Sequence, residues 1–269
     1  MKRKISIALM LMLILSMFSA CKSSATREEV EESEPELDDA IIDEILEKGY
    51  LTVGCSEENT ALFEYDEKTE EYSGLEVNIA YKTAADIFGV TVDQAKDHGL
   101  VKFVPTTTED RETGLTRGYY DILLCNYTIT EERKKTFAFS DSYYTDYLAV
   151  LVSDKSNIED VASLVDLNVG VVRSSTSEEH LQKYFASLGS KVDVPFFFEY
   201  ADLDSAVEAL KSGVVSAVCC DENLIDEFVT KGYSLLDERV VGQHYGAAVK
   251  LENELLLDYV NNAIAVCIE

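Results

Sequence analysis

The sequence predicts an α/β protein of two lobes built on one plan. Apolar, strand-like runs alternate with helix-period segments along most of the chain, the pattern of sheets covered by helices. A stretch of the first half then recurs in the second. Gly118-Tyr-Tyr-Asp-Ile-Leu-Leu-Cys-Asn126 lines up with Gly213-Val-Val-Ser-Ala-Val-Cys-Cys-Asp221: a Gly that closes a helix, an apolar strand, and a polar residue at the strand's C-terminal tip. Leu51-Thr-Val-Gly54 parallels Leu167-Asn-Val-Gly170 in the same order. Open α/β sheets bind ligands beyond the C-terminal ends of their strands, so two facing lobes put Asn126 and Asp221 across one cleft.

The chain starts with Lys2, Arg3 and Lys4, an apolar run from Ile7 to Leu15, and small residues before Cys21, which read together as a secretory signal. The run is shorter than the roughly 20 residues of a comfortable membrane span. Phe18-Ser19-Ala20-Cys21 resembles a bacterial lipobox, where cleavage leaves the Cys at the new N-terminus with its sulfur acylated. An ordinary signal peptide with an incidental Cys is the alternative. The lipobox reading makes 1–20 a lipoprotein signal peptide and Cys21 the lipid attachment. It anchors the exported protein to the outer face of the cell membrane, or in the periplasm of a cell with an outer membrane. Residues 21–40 form an acidic tether: eight acids and Pro35 lie between Lys22 and Ala40, with little that is apolar.

Folded structure is expected from Ile41. Ile41, Ile42, Ile45 and Leu46 recur at helical spacing and Gly49 closes that helix. A strand from Leu51 to Cys55, a helix from Asn78 to Phe88, and strands over 101–104 and 121–125 follow. The second series is a strand over 169–172, a helix over 177–188, a strand over 195–199, a helix over 203–211 and a strand over 214–220. A last helix begins at Glu254 with Leu256, Val260 and Ile264 on one side.

Composition excludes several functions. The 269 residues hold 23 Lys and Arg against 51 Asp and Glu, a net charge of −28. Nucleic acid needs clustered cations to neutralise phosphate, so none is expected as a partner. No nucleophile elbow, P-loop or dinucleotide fingerprint occurs. His98, His180 and His244 have no metal-ligand spacing and there is no C-x-x-C, so neither a metal nor a cofactor is expected.

The most specific stretch runs from Asp121 to Tyr144. It holds Asn126-Tyr-Thr-Ile-Thr-Glu-Glu-Arg133 and then Phe139-Ser-Asp-Ser-Tyr-Tyr144. Arg111 with Leu115 and Gly118, Val169-Gly170-Val171 leading to Ser175-Thr176, and Tyr245-Gly246-x-Ala248-Val249 complete the pattern. It resembles the extracellular solute-binding proteins of family 3, the polar amino-acid-binding components of ABC importers. The resemblance implies a two-lobed periplasmic-binding-protein fold (type II) with two hinge strands. Lobe 1 is then 41–148 plus 244–269 and lobe 2 is 149–243. It also implies a monomer whose partners are a small amino-acid ligand and an ABC permease. Family members continue for roughly another helix beyond Glu269, so lobe 1 is expected to lack part of its cover.

The resemblance also implies the ligand contacts. Arg133 is at the family's carboxylate-binding position, where a planar guanidinium gives two parallel bonds, and Thr128 adds a hydroxyl. A solvated Arg133 in the run Arg133-Lys134-Lys135 is the alternative. Ser175 and Thr176 begin a helix with the pattern of a capping box, and its free N–H groups form an anion site; a pure cap is the competing reading. Asp221 matches the ammonium-binding carboxylate, with a helix N-cap as its alternative, and Asn126 offers its backbone carbonyl. The loop from Cys55 to Phe63 departs from the family. Glu57 or Glu58 replaces the usual Asp, and the aromatic walls beside this loop and near Thr108 are missing. Cys55 and Cys125 end strands that would be neighbours, bridged or as free thiols; buried, inert thiols are the default for the five cysteines after Cys21.

The function expected is a substrate-binding lipoprotein that captures a polar amino acid and delivers it to a permease, with no catalytic residues. A receptor that presents ligand to a separate sensor protein is the alternative. A dehydratase-like enzyme using Glu57, Glu58 or Glu109 is another.

Overall fold

The computed structural model describes residues 40–189 and 193–268; the signal segment, Cys21 and the tether through residue 39 lie outside them. In chain order the first lobe holds α1 (Ala40–Lys48), β1 (Leu51–Ser56), the hairpin β2 (Glu64–Asp66) and β3 (Glu71–Ser73), α2 (Leu75–Phe88), α3 (Val92–Asp97) and β4 (Val101–Thr106). Next come α4 (Arg111–Arg117), β5 (Ile122–Leu123) and β6 (Phe137–Phe139). The chain crosses on β7 (Tyr144–Ser153). It builds β8 (Asn168–Val172), α5 (Ser177–Leu188), β9 (Phe196–Tyr200), α6 (Leu203–Ser212), β10 (Ala217–Asp221), α7 (Glu222–Ile225) and β11 (Tyr233–Leu235). It returns on β12 (Gly242–Tyr245) and ends with β13 (Ala248–Lys250) and α8 (Glu254–Cys267).

The strand order is β4-β1-β5-β13-β6 in one sheet and β11-β7-β10-β8-β9 in the other. Central strands are parallel: β1 pairs with β4 and β5, and β8 with β9 and β10. Such strands are covered on both faces, so they read as apolar runs without alternation. In the second lobe Val150, Val169 and Phe185 pack on one face of the sheet, and Leu151, Val218 and Leu210 on the other.

The two lobes are joined through β7 and β12. Tyr144–Tyr147 pair antiparallel with Gly242–Tyr245, and from Leu148 onward β7 pairs with β10 and β11 instead. One strand thus belongs to a two-stranded hinge at its start and to a lobe sheet at its end. This is the type II arrangement, with two hinge strands.

Two element starts differ from the sequence expectation. The strand expected from Val214 begins at Ala217, because Gly213 ends α6 in the left-handed region and turns the Val214 and Val215 N–H groups back onto the Ala209 carbonyl. The helix expected from Asn78 begins at Leu75. Gly74 precedes it at φ 113°, and a Cβ there would sit 2.6 Å from the Leu62 carbonyl carbon. Only glycine fits, and the early start brings Glu76 into the buried interior. Gly74→Ala is expected to destabilise the protein by about 2 kcal/mol or more. A urea titration checks this: the midpoint should fall with the slope unchanged.

Candidate functional site

A cavity of about 570 Å³ lies between the lobes. The first lobe lines it with the loops after β1 and β4 and with Cys125, Asn126 and Thr128 beyond the tip of β5. The second lobe contributes the starts of α5 and α6 and the tip of β10. These are C-terminal strand ends and helix N-termini, where an α/β layer exposes free N–H groups. Of the expected ligand contacts, Glu57, Asn126, Thr128, Ser175, Thr176 and Asp221 all line this cavity. Arg133 is not in its lining; Arg111 is.

Each lobe brings one non-glycine residue at positive φ to this place. Asn126 has φ 50° and Ser174, next to Ser175, has φ 60°. Backbone strain of this kind persists where the surroundings over-determine it. Asn126 is held from below: its N–H donates to Glu76 Oε1 at 2.8 Å, and Tyr143 Oη donates to the same oxygen at 2.5 Å. Burial pushes the Glu76 carboxyl above the usual carboxylate range, while the bonds from Tyr143 and Asn126 pull it down.

Ser174 is held from across the cleft. Its carbonyl accepts from Arg111 Nη2 at 3.3 Å and from Arg133 Nη2 at 3.2 Å. Both guanidinium groups lie over the Tyr127 ring, at 4.5 and 4.3 Å from its centroid. Arg133 also donates to the Thr128 carbonyl at 2.8 Å, and its Nε lies 3.4 Å from Glu112. The solvated reading of Arg133 therefore fails, since its side chain is only 10% exposed. Burial and then the charge of Arg111 lower the Arg133 pKa. At the rim, Arg173 Nη1 pairs with Glu109 Oε2 at 2.9 Å, a further bond between the lobes.

A residue that the sequence reading passed over occupies the centre. Gln243, 1% exposed on β12, accepts from the Thr128 hydroxyl at 2.9 Å and from the Thr176 hydroxyl, and donates its amide to Asp221 Oδ1. The one available signal was a polar residue at an inward position of a hinge strand. This arrangement also corrects the expected capping box. Thr176 precedes α5 without a side-chain cap bond, and its hydroxyl turns to Gln243 instead. Asp221 likewise precedes α7 without capping it. Burial, then the charge of Asp146, raises its carboxyl to about 7, against hydrogen-bonding and the two arginines, which lower it.

The remaining lining combines apolar residues, among them Val172, Leu203 and Leu224, with acids. Glu57 and Glu58 of the first lobe face Asp202 and Asp204 at the start of α6. No aromatic ring among the described residues lines the cavity, and Phe63 is buried against Tyr72 and Phe103 instead. Cys55 and Cys125 are unbridged and buried, their thiols pushed up to about 12 and about 11 by burial. Among the described residues no group of three His, Cys, Asp or Glu is gathered to hold a metal ion.

Glu76 supports the strained turn that carries Asn126, which sets its expected mutational behaviour. Glu76→Ala leaves the Tyr143 hydroxyl and the Asn126 N–H buried without a partner and should cost about 2–4 kcal/mol. Glu76→Gln keeps the accepting oxygen and should cost less than about 1 kcal/mol. Chemical denaturation of the two variants checks the ordering.

Comparison with known proteins fits this geometry. The family model for bacterial extracellular solute-binding proteins, family 3, matches residues 51–269. The ABC transporter glutamine-binding protein GlnH of Bacillus subtilis (strain 168) is 28% identical over 270 residues, covering 98% of this chain and 92% of that protein. Holo ArgBP from T. maritima superposes with a TM-score of 0.69 at 28% identity, over 83% of this chain and 92% of that one. The ancestral amino acid-binding protein AncCDT-1, a precursor of cyclohexadienyl dehydratase, gives 0.67 at 26% identity, over 84% and 92%. A two-lobed fold, a polar interlobe cleft and a family match over most of its length agree: the chain belongs to the bacterial extracellular solute-binding proteins, family 3.

Proposed function

We propose that this protein captures a polar amino acid in the interlobe cleft and delivers it to the permease of an ABC importer, held at the outer membrane face by a lipid on Cys21. The observation that carries the reading is the pairing of opposite charges in one cavity. Arg111, with Arg133 behind it, supplies guanidinium donors, and Asp221 supplies a carboxylate without an ion-pair partner among the described residues. A zwitterion needs both. Its carboxylate competes for the donors that converge on the Ser174 carbonyl, joined by the hydroxyl of Ser175, while Thr128 lines the site with its hydroxyl proton given to Gln243; its ammonium meets Asp221 and the Asn126 carbonyl. Relatives named for binding glutamine and arginine support this choice of ligand. Closure of the lobes on the hinge around the ligand forms the surface that the permease reads.

A thermal-shift panel of the amino acids tests it. A ligand present at about 100 times its dissociation constant should stabilise the fold by roughly 2.7 kcal/mol. Silence across the panel overturns the reading. The pH dependence has a fixed sign. The ligand's ammonium favours ionised Asp221, whose carboxyl stands at about 7, so binding releases a proton below that pH. Affinity should fall by up to roughly tenfold per unit as the pH drops from 7 towards 5, and Asp221→Asn should bind weakly with a flattened profile.

The anchor has its own test. Cys21→Ser should leave the protein unprocessed or released into the medium, with ligand binding unchanged. Recovery of that variant in the membrane fraction with unaltered mobility would remove the lipid from the proposal. A dehydratase-like enzyme is a second reading, although AncCDT-1 is itself an amino acid-binding protein, the precursor of a cyclohexadienyl dehydratase. Of its acid–base candidates, Glu109 is occupied by Arg173, which leaves Glu57 and Glu58.

A further inference from the structure

The cleft holds more negative charge than a zwitterion uses. Five carboxylates line it, those of Glu57, Glu58, Asp202, Asp204 and Asp221, against one lining guanidinium, that of Arg111. The ammonium of the ligand accounts for Asp221. The other four come in two pairs, one from each lobe. None of them makes an ion pair with a Lys or Arg among the described residues.

Local structure explains part of this group. Asp202 caps α6, its Oδ1 accepting from the Ser205 N–H at 2.7 Å, and Asp204 lies in that helix's first turn, where a negative charge is favoured. Helix chemistry gives no reason for Glu57 and Glu58 to face them from the opposite lobe. Burial, with the charges of Asp204 and Asp202 next in weight, raises the Glu58 pKa. The charges that act on Glu58 after burial are thus other acids.

Two observations independent of the acids mark the cavity as built to receive a ligand. Arg111 and Asn126 are 5% and 7% exposed and both line it, yet Arg111 Nε and Asn126 Oδ1 have no hydrogen-bond partner. Buried polar atoms are rarely left in this state unless something supplies the partner. Val172, Leu203 and Leu224 also line the cavity and suit the methylenes of a long side chain. Among the described residues no aromatic ring lines the cavity, so a cationic side chain would be held by carboxylates and not by a ring face.

We infer that the ligand is a cationic amino acid, one whose side chain ends in a guanidinium or ammonium group that Glu57, Glu58, Asp202 and Asp204 surround. The inference rests on the proposed zwitterion site and adds its side-chain specificity. A neutral amide side chain would leave four carboxylates closing on one another across the cleft. A carboxylate side chain would add a fifth. A guanidinium or ammonium turns that repulsion into attraction between the lobes, so the same charges both select the ligand and favour closure.

Isothermal titration of the purified protein with arginine, lysine, glutamine and glutamate tests this. Arginine or lysine should bind at least about tenfold tighter than glutamine, and glutamate should bind weakest. Raising the salt concentration should weaken the cationic ligand more than glutamine. The double variant Glu57→Gln/Glu58→Gln should lose roughly tenfold or more in affinity for the cationic ligand and so lose most of its preference for that ligand over glutamine. Glutamine or glutamate binding as tightly as both cations overturns this inference and leaves the zwitterion site standing. Cation preference that survives the double variant overturns the assignment to Glu57 and Glu58. Failure of every amino acid to bind overturns both readings.

Discussion

The side-chain amide of Gln243 accepts hydroxyl protons from Thr128 on one lobe and Thr176 on the other, and donates to Asp221. It stands on a hinge strand and is 1% exposed, so the amide cannot turn to water for other partners. Gln243 thus ties each lobe to the hinge strand through its own bonds. The consequence reaches beyond the hinge. Thr176 is drawn away from capping α5, and Asp221 is presented to the cavity rather than to the start of α7. Asp146 continues the chain of polar contacts below, accepting from Tyr245 Oη at 3.0 Å and from the Asn223 N–H at 3.1 Å.

On the other side of the cavity the physical problem is like charge. Arg111 and Arg133 share the Tyr127 ring, and each is the other's neighbour cation. Three things make the arrangement tolerable: the ring, the Ser174 carbonyl and Glu112. Glu112 lies 3.4 Å from Arg133 Nε and accepts from the Tyr127 hydroxyl at 2.7 Å, so the acid, the ring and the guanidinium form one network. The carbonyl contacts, at 3.2 and 3.3 Å, are long for charge-assisted bonds. A carboxylate with two oxygens is the better partner for two converging guanidinium groups. The donors are fixed before any anion arrives, which keeps the ordering cost of binding low.

The fold was largely legible because its signals are local. The parallel strands read as apolar runs, and α1, α5 and α6 appear at or within one residue of their expected ends. Repetition of the Gly118–Asn126 pattern at Gly213–Asp221 revealed the two lobes, and both strand tips line one cavity. What escaped was either short or dependent on distant contacts. The β2–β3 hairpin and α3 are brief and polar, although Thr91 and Gln94 do form a capping box that the sequence spells out. β7 changes partners midway, which no periodicity reports. Gln243 is one polar residue among others, and nothing nearby in sequence says that two hydroxyls and a carboxylate converge on it. Arg111 was noticed as part of a family pattern, but its place in the cleft depends on Tyr120. That ring packs against Gly54 and Gly114 and its hydroxyl donates to the Arg111 carbonyl, an arrangement spread across three elements.

These parts fix where the free energy of closure must come from. The described bonds between lobes away from the hinge are the contacts of Ser174 with the two arginines and the exposed Arg173–Glu109 pair. An exposed ion pair contributes at most about 1 kcal/mol, and bonds of this length to a neutral carbonyl add little more. Against them stand carboxylates from both lobes facing each other across one cavity. The protein's own described contacts between the lobes away from the hinge are therefore few. A ligand shifts a conformational equilibrium only by its differential affinity for the two states. A molecule that touches the arginines, Asp221 and the acidic pair of each lobe makes most of its contacts only when the lobes meet. On the proposed reading, selectivity and closure have one source: the carboxylates that would reject a wrong side chain are the ones that a cationic side chain would draw together.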